Sequence, residues 1–358
     1  MKLGLARISI VLTLLGITMT AAGCGGDDFE VVPPGDPNAP PGESTPPGST
    51  DTTPDPNNPN NPNNPSNPPP AAKAPQVVSS LPLDNAKGVK DDATIVLKFD
   101  RAMDMPSVEN AYVSLELPKE QVSFKWSVAH DEVTIVPAQK LAYSTGGPDV
   151  GANGYGITIG KSAKSEAGVP MDADFAMAFT TLRRVTDTPP RVGVLSGRVS
   201  SNGTTTTLAC AIGDFYLAGN EVQMRGFLTF DLKNIPDAEI EKATLSMPED
   251  NMTGTPDLSL GTFSGAQVFY ASLGMDAFNT EPVSGLTFMR LLGLNGNPSV
   301  RFADATAMVK DDLANRAVRN NRTQIRMTYA TGTNNDATTD SVNLDMVAGS
   351  LKVTYLAP

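Results

Sequence analysis

The chain has few of the residues from which most covalent and metal sites are built. Its 358 residues include two cysteines, Cys24 and Cys210, and one histidine, His130. Two cysteines exclude a disulfide framework, and one histidine excludes a His-rich metal site. Cys210 lies in an alternating apolar stretch and is interpreted as a small buried side chain. Because His130 sits at a turn between two strand patterns and no Gly-x-Ser-x-Gly elbow is present, we predict no catalytic residue and no enzyme.

Positive charge is also scarce. The chain carries 27 Lys and Arg against 39 Asp and Glu, a formal net charge of −12. Nucleic-acid binding requires clustered Lys and Arg, and the sequence contains no basic stripe. We therefore expect no nucleic-acid partner.

The first residues resemble a bacterial lipoprotein signal. Two basic residues precede an apolar stretch, residues 8–19, that is too short for a comfortable transmembrane helix. The small residues 21–23 then lead to Cys24, which the resemblance identifies as the lipidated first residue after removal of a signal peptide, residues 1–23. No Asp follows Cys24, which favours the outer membrane of a Gram-negative bacterium. The resemblance implies that the membrane is a partner through an N-terminal lipid.

Residues 24–74 are predicted to be a disordered Pro/Asn-rich tether. Between Pro33 and Pro75 there is no Val, Ile, Leu, Met, Phe, Trp or Tyr. Such a segment cannot bury enough apolar surface to offset its ordering entropy. It is expected to hold the folded domains away from a lipid surface.

Residues 75–185 show the short alternating runs of an antiparallel β-sandwich. Ile95, Leu97 and Phe99 alternate with polar or outward positions, and alternation over residues 122–128 places Trp126 and Val128 on a core face. The Gly-rich residues 144–154 are predicted to be an inserted loop.

Three segments of this region carry a resemblance to a known family. Residues 77–89, 95–104 and 179–181 are similar to the bacterial Ig-like domains of S-layer and other surface proteins. The resemblance implies a spacer or adhesion module without an active site.

Residues 190–358 are predicted to form a second β-sandwich. Alternating apolar residues recur around residues 228–232, 325–329 and 351–355. Helical spacing over residues 303–318 predicts one short helix lying over the end of the sandwich. Residues 225–236 and 240–245 resemble the disaggregatase-related (DNRLRE-type) sandwich, which implies a likeness to carbohydrate-binding modules. The fold class is therefore all-β, with two sandwiches behind a tether.

The best polar cluster lies near the end of the chain. Asn334, Asp336, Asp340 and Asp345 supply hard oxygens of the kind that Ca²⁺ prefers. The run lacks the EF-hand pattern, and Asn and Asp also favour plain turns. A hairpin loop and a calcium site both remain open, and no other cofactor is expected.

The sequence predicts a non-enzymatic cell-envelope lipoprotein whose second sandwich binds a surface glycan or an envelope protein. Two alternatives remain. One is a polysaccharide-active enzyme within residues 190–358, for which Glu249 and Asp250 are poor candidates because adjacent acids on a strand point to opposite faces. The other is a purely structural envelope spacer.

Overall fold

The computed structural model describes residues 73–358. The predicted signal peptide, Cys24 and nearly all of the predicted tether lie outside the described residues. Strands dominate the described part, as the sequence predicts. Its α-helices are α1 Met105–Ala111, α2 Pro256–Ser259, α3 Met275–Asn279 and α4 Thr306–Ala314. None of these helices is long and apolar enough to cross a membrane.

The first sandwich follows the Ig-like plan of two facing sheets. Its strands are β1 Val77–Leu81, β2 Ala86–Val89, β3 Ile95–Phe99, β4 Tyr112–Val113, β5 Val122–Trp126, β6 Glu132–Pro137, β8 Gly154–Ile159 and β9 Phe175–Thr181; β7 Ser144–Gly146 lies between β6 and β8 in the chain. One sheet has the order β1–β3–β6–β5 and the other β2–β9–β8–β4.

The core of the first sandwich confirms most of the predicted alternation. Ile95, Leu97 and Phe99 are buried between the two sheets. Trp126 is half-buried: its ring stacks on Phe99, with centroids 6.3 Å apart, and its Nε1 donates to Glu109 Oε1 at 3.1 Å. The prediction is wrong for Val128, which is fully exposed, because β5 ends at Trp126 and the chain turns there.

The second sandwich uses one long folded sheet instead of two separate ones. Its strands are β10 Arg183–Asp187, β11 Gly197–Ser200, β12 Thr205–Thr206, β13 Cys210–Leu217, β14 Asn220–Asp231, β15 Glu239–Thr253, β16 Phe263–Gln267, β17 Ser284–Thr287, β18 Met289–Leu291, β19 Val300–Asp304, β20 Arg322–Tyr329, β21 Ser341–Leu344 and β22 Ser350–Ala357. The strand order is β17–β16–β20–β14–β13–β21–β15–β22–β10–β7, with β11 also paired to β14 and β19 to β15.

Strand β15 lets this sheet fold back on itself. Residues 239–246 pair with β22, whereas residues 249–253 pair with β21. The same strand therefore belongs to both layers. The apolar residues predicted from alternation, including Leu228, Ile325 and Val353, meet in the core between the layers.

Helix α4 lies within the predicted helical range. It begins two residues after β19, and its Met308 and Val309 join the main core. The first residues of the predicted range, Ala303 and Asp304, end strand β19 instead.

A second, smaller core covers the outer face of β14. Leu228 and Phe230 face the main core, and Phe227 between them points the other way, as strand geometry requires. Residues from the segment before β11 and from the segment around α3 pack over this face; the cluster is Leu195, Val199, Phe227, Val268, Tyr270, Ala277 and Phe278.

The two sandwiches are joined through strand β10. On one side β10 pairs antiparallel with β22 over five residues, and on the other it pairs parallel with β7. Strand β7 lies in the stretch predicted to be an inserted loop, so this part of the loop extends the sheet of the second sandwich. The following residues are also fixed, because Pro190 O accepts a hydrogen bond from Asp231 N at 2.9 Å.

Candidate functional site

The four residues proposed for a metal lie at both ends of strand β21. Asn334, Asp336 and Asp340 precede the strand, and Asp345 follows it. A four-residue strand spans about 13 Å, so Asp340 and Asp345 are separated by at least that length of chain. Within residues 73–358, no three His, Cys, Asp or Glu side chains are grouped so as to hold a metal ion. The structure therefore does not bring the four residues together.

Three of the four residues shape turns. Asp336 Oδ1 accepts hydrogen bonds from the N–H and hydroxyl of Thr338, at 2.8 and 2.6 Å, and Asn334 Nδ2 donates to Asp336 Oδ2 at 2.8 Å. Asp345 Oδ1 accepts the N–H groups of Val347 and Ala348 at 2.8 and 3.0 Å. These are local bonds by which Asn and Asp stabilise loops.

A carboxylate outside the predicted cluster fixes the same loop. Glu221, at the start of β14, accepts the N–H of Asn335 at 2.6 Å and the N–H of Ala337 at 2.7 Å. Both loop residues have positive φ, 59° and 63°. Non-glycine residues rarely adopt this conformation, so the two bonds to Glu221 offset its cost. The sequence gave no sign of this role, since Glu221 lies more than one hundred residues away.

Asp340 occupies a closed socket. Its N–H donates to Asp214 Oδ1 at 2.8 Å, and its Oδ1 accepts the N–H of Thr255 at 2.6 Å. A Cβ atom at Gly213 or Gly254 would lie 2.1 Å from an oxygen of Asp340, and both glycines have positive φ. Only glycine fits at these two positions. The socket anchors the end of the loop to two strands.

Asp214 is the most unusual acid of this region. It is fully buried, and its Oδ2 has no hydrogen-bond partner within the described chain. Burial raises the pKa of Asp214 above its usual value, and the nearby charges of Glu221 and Asp340 add to the shift, while the bond from the Asp340 N–H opposes it. Ionised Asp214 is therefore a cost to the folded state at neutral pH.

A second group of charged residues lies inside the sandwich, around Glu249. Arg290 forms two hydrogen bonds to Glu249, at 2.7 and 2.6 Å, and Arg301 Nε lies 2.7 Å from Glu249 Oε1. Arg301 Nη2 also contacts Asp257, at 2.9 and 2.8 Å. Both Glu249 and Arg301 are buried. Each oxygen of Glu249 therefore faces a guanidinium group.

Two aromatic rings complete this group. The Arg301 guanidinium lies 4.4 Å from the ring centre of Phe263, and the Tyr329 hydroxyl donates to Asp257 Oδ1 at 3.1 Å. Burial opposes ionisation of Asp257, but the bonds and charge of Arg301 keep its pKa below the usual value. The arrangement holds ionised pairs in place and connects β18 to the core.

Asp250 shares nothing with this group. It is exposed and accepts a hydrogen bond from Asn343 Nδ2 at 3.0 Å. Glu249 and Asp250 therefore point to opposite faces of β15, as the sequence predicts, and do not form a facing pair of the kind that glycosidases use.

His130 and Cys210 occupy the places that the sequence indicates. His130 lies on an exposed turn with φ of 53°, and its Nδ1 lies 2.6 Å from Glu166 Oε1. Cys210 is completely buried, and burial raises the pKa of its thiol to about 12. A thiol with this pKa and no exposure is not a nucleophile at neutral pH.

The surface offers one apolar and hydroxyl-lined cavity beside β12. It measures 620 Å³ and is lined by Val194, Leu195, the residues 205–208 and the residues 271–273, none of which is aromatic. The exposed aromatic side chains Phe215 and Tyr216 lie elsewhere, near the turn between β13 and β14.

The adjacent acids Glu249 and Asp250 should differ sharply in their effect on stability. Glu249→Ala leaves buried Arg301 without one of its two carboxylates, so we expect a loss of about 3–5 kcal/mol. Asp250→Ala, the matched control, should change the free energy of unfolding by no more than about 0.5 kcal/mol. Urea unfolding of both variants measures the difference. Equal losses would mean that the Glu249 group does not stabilise the fold.

Substitutions at Asp214 should separate its charge from its hydrogen bond. Asp214→Asn keeps an acceptor for the Asp340 N–H and removes the charge. Because the folded pKa is raised, the wild type loses stability as pH rises from about 4 through that pKa, and the advantage of the Asn variant should grow over this range. Asp214→Ala should cost about 1–3 kcal/mol, since a buried N–H loses its partner. Urea unfolding between pH 4 and 8 tests both; an Asn variant that weakens relative to wild type as pH rises contradicts the assignment.

Several solved structures are similar to this chain at low identity. Native alpha-2-macroglobulin from Escherichia coli, spanning domains MG0-NIE-MG1, is 12% identical over 66% of this chain and 62% of that chain, with a TM-score of 0.22. Surface layer protein SbsC, domains 1–6, is 14% identical over 64% of this chain and 34% of that chain, and the S-layer protein rSbsC(31-844) is 14% identical over 60% and 32%; both TM-scores are 0.22. This chain thus spans less than two thirds of each of these structures.

No curated protein sequence matches the chain. The family model of the bacterial Ig-like domain matches residues 71–181, a range that contains all the strands of the first sandwich. Residues 71–181 are therefore a bacterial Ig-like domain.

Proposed function

We propose that this protein is a non-enzymatic, lipid-anchored component of the cell envelope that displays two rigidly joined β-sandwiches. The bacterial Ig-like domain at residues 71–181 supports a surface or envelope role. The resemblance of the N-terminal residues to a lipoprotein signal supports anchoring through Cys24, and the absence of Asp after Cys24 supports the outer membrane. The apolar-free segment between Pro33 and Pro75 supplies the spacing from the lipid surface.

The observation that carries this proposal is the pairing of β10 on both sides. A hinge between two domains needs a segment with few contacts, and β10 instead pairs with β22 and with β7. Side chains reinforce the pairing. Arg183 donates to Val150 O in the first sandwich at 2.9 Å and to Pro358 O in the second at 3.0 Å.

Further contacts extend along the same strand. Arg184 forms two hydrogen bonds to Glu241, at 2.6 and 2.9 Å, and its guanidinium lies over the ring of Tyr143. The hydroxyl groups of Thr186 and Thr354 are 2.9 Å apart. The two sandwiches therefore transmit position and force as one body, which is the property that a spacer needs.

The second sandwich supplies the binding role in this proposal. Its resemblance to the disaggregatase-related sandwich favours a surface glycan as ligand, with an envelope protein as the alternative partner. The outer face of β14 and β20 favours the same role, because half-exposed polar side chains follow one another there, among them Gln223, Arg225 and Thr328.

The junction proposal predicts slow proteolysis between the sandwiches. Trypsin should cut after exposed Lys73 well before it cuts after Arg183 or Arg184, because a paired strand does not fit a protease site. Val185→Pro removes a strand N–H and should make cleavage after Arg183 and Arg184 many times faster. The matched control is Val194→Pro, at an exposed position whose N–H donates no hydrogen bond in the described residues. Mass spectrometry of timed digests measures the order of cleavage. Rapid cleavage of the wild type at Arg183 would contradict a rigid junction.

The anchoring proposal predicts different outcomes for the two cysteines. Cys24→Ala should abolish labelling by a radioactive fatty acid and recovery in the membrane fraction of a Gram-negative host. Cys210→Ala should retain both, because this thiol is buried in the second sandwich. A Cys24→Ala protein that still fractionates with membranes would show that another segment provides the attachment.

A further inference from the structure

Two arginines project from the same outer face of the second sandwich. Arg326 of β20 lies opposite Phe227 of β14 in the strand register. Arg225 precedes Phe227 by two residues on β14, so it points to the same face. Both side chains are half-buried at the edge of the smaller core.

The two guanidinium groups converge on one oxygen atom. Arg225 Nη1 donates to Phe278 O at 2.5 Å, and Arg326 Nη1 donates to the same oxygen at 3.1 Å and to Thr280 O at 2.5 Å. The Arg225 guanidinium also lies 4.1 Å from the ring centre of Phe278, which fixes its plane. Both groups are therefore held in one orientation.

This pair of charges has no carboxylate partner in the described chain. Arg101, Arg184, Arg290, Arg301 and Arg319 each lie within 4.0 Å of an acid, whereas Arg225 and Arg326 do not. Glu281 is exposed and acts on Arg326 only from beyond that distance. Burial lowers the pKa of both arginines, and their mutual repulsion lowers that of Arg225 further.

Capping of helix α3 explains only part of this arrangement. Phe278 and Thr280 lie at the end of α3, where cations stabilise exposed carbonyl groups. A five-residue helix has a weak dipole, and one arginine would satisfy it without repulsion. Capping uses Nη1 of each guanidinium. The Nη2 atoms make no hydrogen bond with residues 73–358 and are not buried, so they face outward.

Neutral polar groups surround the two outward-facing nitrogens. Gln223 precedes Arg225 by two residues on β14, Thr328 follows Arg326 by two residues on β20, and the Gln223 amide lies 3.5 Å from the Thr328 hydroxyl. Ser264 lies opposite Thr328 on the neighbouring strand β16. Amide and hydroxyl groups of this kind pair with sugar hydroxyls, and paired arginines match the two oxygens of an anionic group.

We infer that Arg225 and Arg326 form the anion subsite of a saccharide-binding face. The carboxylate or sulfate of an acidic sugar accepts hydrogen bonds from their Nη2 atoms, and Gln223 and Thr328 contact the sugar hydroxyls. This inference rests on the binding role proposed for the second sandwich and names the ligand class, an anionic saccharide.

Isothermal titration of the full protein distinguishes the sources of the anion. The probes are a galacturonate trisaccharide, a sulfated disaccharide, neutral maltotriose and inorganic sulfate. We expect one of the two acidic saccharides to bind and maltotriose to bind at least about tenfold more weakly, the scale of one charge-assisted hydrogen bond. Inorganic sulfate that binds as tightly as either saccharide would overturn the saccharide assignment.

Variants locate the subsite. Arg225→Gln and Arg326→Gln should each weaken the acidic saccharide at least about tenfold. Arg322→Gln, with the same charge change four residues away on the same face of β20, should leave affinity within about twofold, since it lies beyond the screening length. Glu281→Gln should strengthen binding, because it removes the nearest competing anion. Thermal unfolding of each variant, with Arg225→Lys and Arg326→Lys as folded alternatives lacking the fork, excludes loss of fold as the cause.

Two further outcomes separate this inference from the proposed function. Binding of a neutral glycan that the arginine variants leave unchanged would overturn the anion subsite and leave the binding role in place. Failure of all four probes, together with silence on a glycan array, would overturn both and leave the rigid spacer.

Discussion

The parallel and antiparallel pairing of one strand, β10, holds the two sandwiches together. Strand β22 fills one edge of β10 and β7 the other, so backbone hydrogen bonds run without interruption from the first sandwich into the sheet of the second. A strand with both edges filled leaves no exposed edge at the place where two domains meet. The buried side chain of Val185 adds an apolar contact to the main core. The Ig-like domain and the second sandwich thereby share one sheet.

Acidic residues stabilise this fold largely through the backbone. Asp231, Asp304, Asp336 and Asp345 each accept the N–H of the residue two positions later. Glu221 and Asp340 do the same across long sequence distances. The excess of Asp and Glu is therefore tied in part to turn geometry. The same chemistry explains why the polar cluster after residue 333 looks like a cation site in sequence and forms a loop with its own internal bonds in the structure.

Alternation was sufficient to predict the fold class and most of the core. Ile95, Leu228 and Val353 are buried because a half-buried strand allows an apolar side chain at every second position only on one face. The pattern could not give the end of a strand, which is why Val128 was misplaced. It could not reveal β7 either, since a three-residue strand in a Gly-rich loop has no period of its own. The role of Glu249 depends on Arg290 and Arg301, which are distant in sequence.

The long middle of the second sandwich was the least predictable part. Helices α2 and α3 have four and five residues, too short for a helical period to be visible. Arg225 and Arg326 are separated by one hundred residues of chain, and only the pairing of β14 with β20 brings them to one face. A sequence shows which charges exist, whereas the register decides which of them remain without a counter-ion.

The position of β22 also bears on the order in which the molecule is built. Arg183 and Pro358 are in contact although 175 residues separate them in sequence. The Ig-like domain can close from local pairings, but the second sheet lacks the neighbour of both β10 and β15 until residues 350–357 have been synthesised. Contacts of such long range form late and slowly. The second sandwich thus remains open during synthesis, which suits a chain that must cross a membrane in an unfolded state before it assembles.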